Sequence, residues 1–261
     1  MRRRFYAPPE AFAPDGASVV LSSEESCHLR DVLRLRAGDE ASVFDGEGRE
    51  FACVVREAGG RKGGARLEVR GAAEPPRPES PLFLRLAVSL LKGEKFDLIV
   101  QKAVELGAGM IEPVVTKRSD VRLRDERDAM RRVERWRRLA VEAAKQSGRA
   151  RVPLVKTPLA FEALVTADEA LVSAGPGRDS LRLMFAERGG VGLHALPVAG
   201  ATHPSRVAAL VGPEGGWDDE EIALARRHGW TIITLGGRTL RAETAAIAAA
   251  ALLQHLFGDL R

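Results

Sequence analysis

VAALVGPEGGWDDEEIALARRHGWTIITLGGRTLRAETAAIAAAALLQHL, residues Val207–Leu256, decides how the chain folds. Its opening apolar run, Val207–Val211, is short and stops at Gly212-Pro213, the pattern of a buried strand. Asp218 with Glu221 three residues on has capping-box spacing. It opens a helix with Ile222, Leu224 and Ala225 apolar, closed by His228-Gly229. Trp230–Leu235 is apolar and β-branched, a second buried strand that Gly236-Gly237 breaks. Glu243-Thr244 then starts a last helix made mostly of Ala and Leu.

Glycine loops at the C-terminal ends of strands are where open α/β sheets bind ligands, because backbone N–H groups and helix N-termini point outward there. Gly212, Gly215, Gly216, Gly236 and Gly237 lack side chains, so a flat ring could approach the backbone. On composition alone, ordinary strand-to-helix turns are an equal alternative.

Working outward, strands alternate with helices from Leu82 onward, which predicts a parallel sheet. Leu82–Leu90, Met110–Thr116 and Ala170–Ala174 read as strands. Lys95–Leu106 and Asp125–Ser147 read as helices, and so does Ser180–Glu187 after Gly175-Pro176-Gly177. Residues 1–72 look β-rich. A short helix capped at Ser22 precedes strands Ala41–Phe44, Glu50–Arg56 and Arg66–Arg70, with a hairpin turn at Asp45-Gly46. Residues 71–81 hold four Pro in eleven positions, a linker composition. The expected organisation is a small β-barrel domain over 1–72, a linker at 73–81 and an α/β domain over 82–261.

The 261 residues are 45% hydrophobic and 29% charged, enough for a packed core under a soluble surface. No apolar run approaches the roughly 20 residues of a membrane span, and the basic N-terminus lacks the apolar stretch of a secretory signal. Cys27 and Cys53 are too few for a disulfide framework. His28 beside Cys27 reads as structural, because adjacent helical residues point in different directions. No metal is expected, and the setting is expected to be cytoplasmic. The net charge of +4 is uneven: Lys117 to Arg138 holds ten Lys/Arg against five Asp/Glu. That clustering suits a polyanion, with a solvated helix face as the plainer alternative.

GPEGG at 212–216 followed by LGGRTLRAETA at 235–245 resembles the signature of the SPOUT methyltransferases. Within that class it is most similar to the RsmE family, and every position of the two-part pattern is matched. The stretches LLKGEKFDLIVQKAVELG, IEPVVTKRSD and EAAKQSGRARVP extend the resemblance upstream, and HLRDVLRLRAGDEASVFDG resembles the family's PUA-like RNA-binding domain. Little is recognisable between Phe161 and Pro204 beyond the Ala170–Ala174 strand.

The resemblance implies an α/β SPOUT domain with a deep trefoil knot behind a PUA-like barrel, and a homodimer through the last helix. It implies S-adenosylmethionine as methyl donor and N3 of a uridine in small-subunit ribosomal RNA, within the assembled particle, as target. It places the cofactor on Val211, Gly212, Pro213, Glu214, Gly215 and Gly216, on Leu235, Gly236, Gly237, Arg238, Leu240 and Thr244, and on the loop after Ala170–Ala174. RNA contacts are expected from Arg2, Arg3, Arg4, Arg30, Arg34, Arg36, Lys92, Arg118 and Arg149.

Methyl transfer requires positioning and loss of the N3 proton. No His or Cys is placed as an evident base, so the candidates are Glu214, Glu243, Arg118, Arg149, Arg238 and Arg241, of which Arg241, Glu243 and Arg238 are preferred as catalytic. An Arg beside the developing uracil oxyanion would assist proton loss. Glu243, at a helix N-terminus that favours an anion, would anchor an Arg or accept the proton. A salt bridge fixing the loop is the alternative for Arg241 and Glu243. Nothing in the loops themselves separates uracil N3 from a ribose 2′-OH or guanine N1. Two other readings compete. LVSAGPGRDS suggests a nucleotide-dependent oxidoreductase but lacks the third Gly and the ribose-binding acid. A non-catalytic ribosomal RNA-binding protein would not need both loops intact.

Overall fold

The computed structural model describes residues 3–60, 63–167, 180–196 and 204–260. They form two compact units, one of residues 1–79 with 141–152 and one of 80–140 with 153–261.

The first unit is built on β1 (Arg4–Tyr6), β2 (Ser18–Val20), β3 (Glu40–Phe44), β4 (Glu50–Glu57) and β5 (Arg66–Ala73). Among the described residues these make one sheet in the order β1-β3-β4-β5-β2, antiparallel except for the parallel β1–β3 pair. Phe5, Val19, Leu29, Val43, Val55 and Leu67 fill its interior. The β3–β4 turn is set by Asp45, whose side chain accepts from the Glu47 and Arg49 amides, and Gly46 has φ +81°. Ser22 caps α1 (Ser23–Cys27) by accepting from the Glu25 amide, as its spacing predicts. The helix then widens into a π-turn over His28–Val32. His28 sits edge-on to Phe5, and partial burial lowers its pKa.

The proline-rich boundary is less simple than its composition suggests, because residues 141–152 belong with the first unit. Arg4 explains why. Its guanidinium pairs with Glu50 at 2.9 Å and donates to the carbonyls of Ala144 and Arg149. Lys145 likewise pairs with Glu25 at 2.8 Å. Arg4 and Glu50 are 3% and 4% exposed, so neither charge has water as a substitute partner. Glu50→Ala therefore strands a buried cation and should destabilise this unit by about 3–5 kcal/mol in denaturant unfolding. An unchanged midpoint would show that the pair is dispensable.

The second unit carries β6 (Phe83–Ser89), α2 (Lys95–Glu105), β7 (Ala108–Val115), α3 (Glu126–Ser147, through Ala140), β8 (Leu154–Val155), β9 (Leu159–Ala160), α4 (Phe161–Thr166), β10 (Ser180–Phe185), β11 (Arg206–Val211), α5 (Asp219–Arg227), β12 (Thr231–Ile233) and α6 (Ala242–Phe257). Its strands run in the order β12-β10-β11-β6-β7-β8, all parallel, with β9 pairing β7 off that path. Phe96, Ile99, Val100, Ala103 and Val104 form the buried face of α2, at the expected helical spacing. Gly107, φ +80°, follows its C-terminus.

One expectation fails. Ser180–Glu187 is not a helix; Ser180–Phe185 is β10, held between β11 and β12, with Leu183 opposite Ala209 and Thr231. Leu, Met and Arg are good helix formers, and the run is too short for a period to speak. Burial decides instead, because Leu183, Met184 and Phe185 are consecutive and all inside, as in a strand covered on both faces. The expected strand Ala170–Ala174 and the loop after it lie outside the described residues.

Candidate active site

β12, β10 and β11 are neighbours, so their C-terminal ends open side by side. The segments leaving them enclose a cavity of about 210 Å³. Phe185, Ala186 and Glu187 come from β10. Val211, Gly212, Pro213, Glu214 and Trp217 come from β11. Thr234, Leu235, Gly236, Gly237, Arg238, Thr239 and Leu240 follow β12, and Ala242 and Ala245 belong to α6. Both glycine loops thus serve one cavity.

The first loop is a tight turn in which the Gly216 amide donates to the Pro213 carbonyl at 3.0 Å, with φ +67° at Gly216. Trp217 holds it down. Its buried indole donates to the Phe185 carbonyl at 2.8 Å and packs on Phe161. A Cβ on Gly212 would stand 2.7 Å from that indole. Gly212→Ala should therefore push the loop outward and weaken cofactor binding about ten-fold or more, read by titration calorimetry. An unaltered affinity would show that the loop tolerates the shift.

The capping box is present as the spacing predicts: Asp218 accepts from the Glu220 amide and Glu221 accepts from the Asp218 amide. Lys117 bridges Asp218 and Glu220, and Arg118 donates to the Gly215 carbonyl and pairs with Asp218 at 3.3 Å. The Lys117 ammonium, then the Glu220 amide, hold the Asp218 carboxyl below the usual carboxylate range. Lys95 pairs with Glu214, fixing that side chain at the cavity edge.

The second loop differs in kind. Among the described residues nothing lies within 4 Å of a Cβ built on Gly236 or Gly237, which leaves both backbones open to a ligand on that count. Arg238 and Arg241 are exposed and carry no ion pair among the described residues. Glu243, in the first turn of α6, has one carboxylate oxygen buried without a hydrogen-bond partner among the described residues.

Of the expected cofactor residues, Gly215, Gly216 and Thr244 lie outside the cavity lining, and so do Arg241 and Glu243. Phe185–Glu187, Trp217, Thr234, Thr239, Ala242 and Ala245 line it and were not anticipated. The first three were hidden by reading β10 as a helix, since a strand there would have put a third C-terminal end at the site.

The expected RNA contacts divide. Arg4 is committed to Glu50 and Arg149 to Glu79 at 2.6 Å, both buried, so neither is available to RNA. Arginine's planar fork suits such bidentate burial, and a sequence count cannot tell it from a free surface charge. Arg3, Arg30 and Lys92 pair with Asp39, Asp31 and Asp120 at the surface. Arg34 and Arg36 are exposed, Arg34 in the left-handed region at φ +55°. Arg2 lies outside the described residues.

The cavity fits S-adenosylmethionine. Gly236 and Gly237 leave an open cradle, Leu235, Leu240, Val211 and Phe185 offer apolar walls, and Glu187, Glu214 and Arg238 supply charges of both signs. Among the described residues no group of His, Cys, Asp and Glu could hold a metal, and no helix is long and apolar enough to cross a membrane.

The chain thus folds a parallel sheet with such a cavity at its strand ends and, as a separate unit, a small curled sheet, and its relatives give the class: an RNA methyltransferase. The model of the RNA methyltransferase domain matches residues 78–254, and that of the RNA methyltransferase PUA domain matches 21–64. Ribosomal RNA small subunit methyltransferase E of Synechocystis is 33% identical over 98% of this chain and 78% of its own. The Bacillus subtilis protein of that name is 28% identical over 98% and 96%. Among solved structures, the Neisseria gonorrhoeae ribosomal RNA small subunit methyltransferase E bound to S-adenosylmethionine superposes with a TM-score of 0.82 at 32% identity, covering both chains fully. A putative Legionella pneumophila methyltransferase with S-adenosylmethionine bound gives 0.83, also at 32% identity and full coverage. The chain belongs to the ribosomal RNA small subunit methyltransferase E family.

Proposed function

We propose that the protein transfers a methyl group from S-adenosylmethionine to N3 of a uridine in small-subunit ribosomal RNA. The observation that carries this reading is the meeting of Gly212–Glu214 and Leu235–Leu240 in one cavity at three adjacent strand ends. The cofactor supplies an electrophilic methyl on a sulfonium that departs as a neutral thioether, so the protein need only position and deprotonate.

Leu235 and Leu240 would supply apolar walls for the cofactor, and the bare Gly236 and Gly237 would leave room for its rings. Arg241 and Arg238 present positive charge to the uracil oxygens as N3 loses its proton. Glu243, with a carboxylate oxygen that has no partner among the described residues, anchors the approaching Arg241 or takes the proton. Mass spectrometry of small-subunit RNA treated with protein and labelled cofactor tests nucleoside and atom together. A label on ribose or on guanine would replace the N3 reading. Running it on free RNA and on assembled small subunits tests whether the particle is the true substrate. This reading puts the reaction in the cytoplasm and gives the C-terminal chain the knotted path of its class.

The homodimer is part of the same proposal. Leu252 on α6 is 38% exposed and Leu98 on α2 39%. Leu252 shares its side of α6 with Ile247, Ala248 and Ala251, apolar enough for another helix to pack there. Leu252→Arg should yield a monomer by light scattering; a persistent dimer would move the interface elsewhere.

A further inference from the structure

The exposed side of α3 has no part in the cavity. Val133, Trp136 and Ala140 form its buried face. At 3.6 residues per turn, Arg127, Arg131 and Arg138 project from the opposite side within an arc of roughly 40°, along roughly 16 Å of axis. All three are exposed. Arg127 and Arg138 have no ion pair among the described residues, and Arg131 is only 3.9 Å from Asp128. Arg135 stands on the same side but is bound to Asp97. Arg122 and Arg124, just upstream, are exposed and equally without ion pairs among the described residues. Glu134 and Glu142, one turn before and one turn past Arg138, border the row.

Such an arrangement costs stability in the free protein, since Arg127 and Arg131 are like charges one helical turn apart. A polyanion would relieve that repulsion. The charges are guanidinium rather than ammonium, the fork that matches phosphate oxygens. The helix's aromatic residue, Trp136, is buried, so the face offers no platform for stacking bases. We infer that Arg127, Arg131 and Arg138 form a ridge that docks the phosphate backbone of the RNA substrate, setting its register without reading its sequence. The inference rests on the reading of the protein as an RNA methyltransferase.

The test is the triple variant Arg127→Gln, Arg131→Gln, Arg138→Gln in the full chain, with a small-subunit ribosomal RNA transcript as probe. Affinity is measured by fluorescence anisotropy across a series of KCl concentrations. The slope of log K against log salt should fall by about 2–3, since each lost phosphate contact removes roughly 0.7–0.9. RNA affinity should drop about ten-fold or more and KM for RNA should rise, while kcat and cofactor affinity stay at wild-type values. The corresponding triple Lys variant should restore most of the slope. A wild-type slope and affinity in the Gln variant would overturn the ridge. So would a Lys variant as impaired as the Gln one, or a Gln variant that loses only an acidic protein partner. Wild-type protein that binds RNA but transfers no methyl group would instead sink the functional reading, and the slope comparison would still judge the ridge.

Discussion

Arg241→Ala is expected to lower kcat for RNA methylation by about 10²–10³-fold while leaving cofactor affinity and melting temperature near wild type. The magnitude is that of removing one preorganised donor from a developing oxyanion. The selectivity follows from position. Arg241 is exposed, lies at the N-cap of α6 outside the cavity wall, and makes no side-chain cap, so neither the helix nor the cofactor depends on its guanidinium. Arg241→Lys should recover only part of the rate, since a point charge cannot present two parallel donors. The measurement is single-turnover methylation with saturating RNA and cofactor, accompanied by thermal denaturation. A variant that turns over like wild type would remove Arg241 from the mechanism. One that loses cofactor binding in parallel would make it a loop-fixing residue instead.

Ending the chain before Thr244 is expected to abolish cofactor binding and dimerisation together. The lost segment buries Ala246, Ala249, Ala250, Leu253 and Phe257, and it removes Ala245 from the cavity wall. Leu253 and Phe257 alone are worth about 2–5 kcal/mol each when truncated to Ala. Their sum approaches the roughly 5–15 kcal/mol by which a domain is stable. Gln254, 1% exposed and accepting from the Ser80 hydroxyl at 2.7 Å, would also go, leaving that hydroxyl without this acceptor. Calorimetric titration with the cofactor and light scattering decide the matter. A truncated monomer that still binds cofactor would show the last helix to be dispensable for both.

How much of this was legible beforehand differs by element. The capping box at Asp218 and Glu221, the buried stripe of α2 and the turn at Asp45-Gly46 each depend on residues a few positions apart, and each stands where its spacing puts it. β10 was misread because Leu-Arg-Leu-Met favours a helix in isolation, and only β11 and β12 on either side make it a strand. Trp217 escaped notice as a site residue for a similar reason. Its role is fixed by a carbonyl 32 residues away, at the end of the misread strand.

The arginines make the same point through electrostatics. By itself, the order of residues determined the alternation of strands and helices, the two glycine loops and the excess of positive charge, because these are properties of local pattern and count. Tertiary structure alone decided that both loops share one cavity with the end of β10. It also decided that Arg4 and Arg149 are buried against Glu50 and Glu79 while Arg127 and Arg138 are exposed, with no ion pair among the described residues. The physical reason is that burial and ion pairing depend on distances between residues far apart in the chain, and local propensity does not encode those distances.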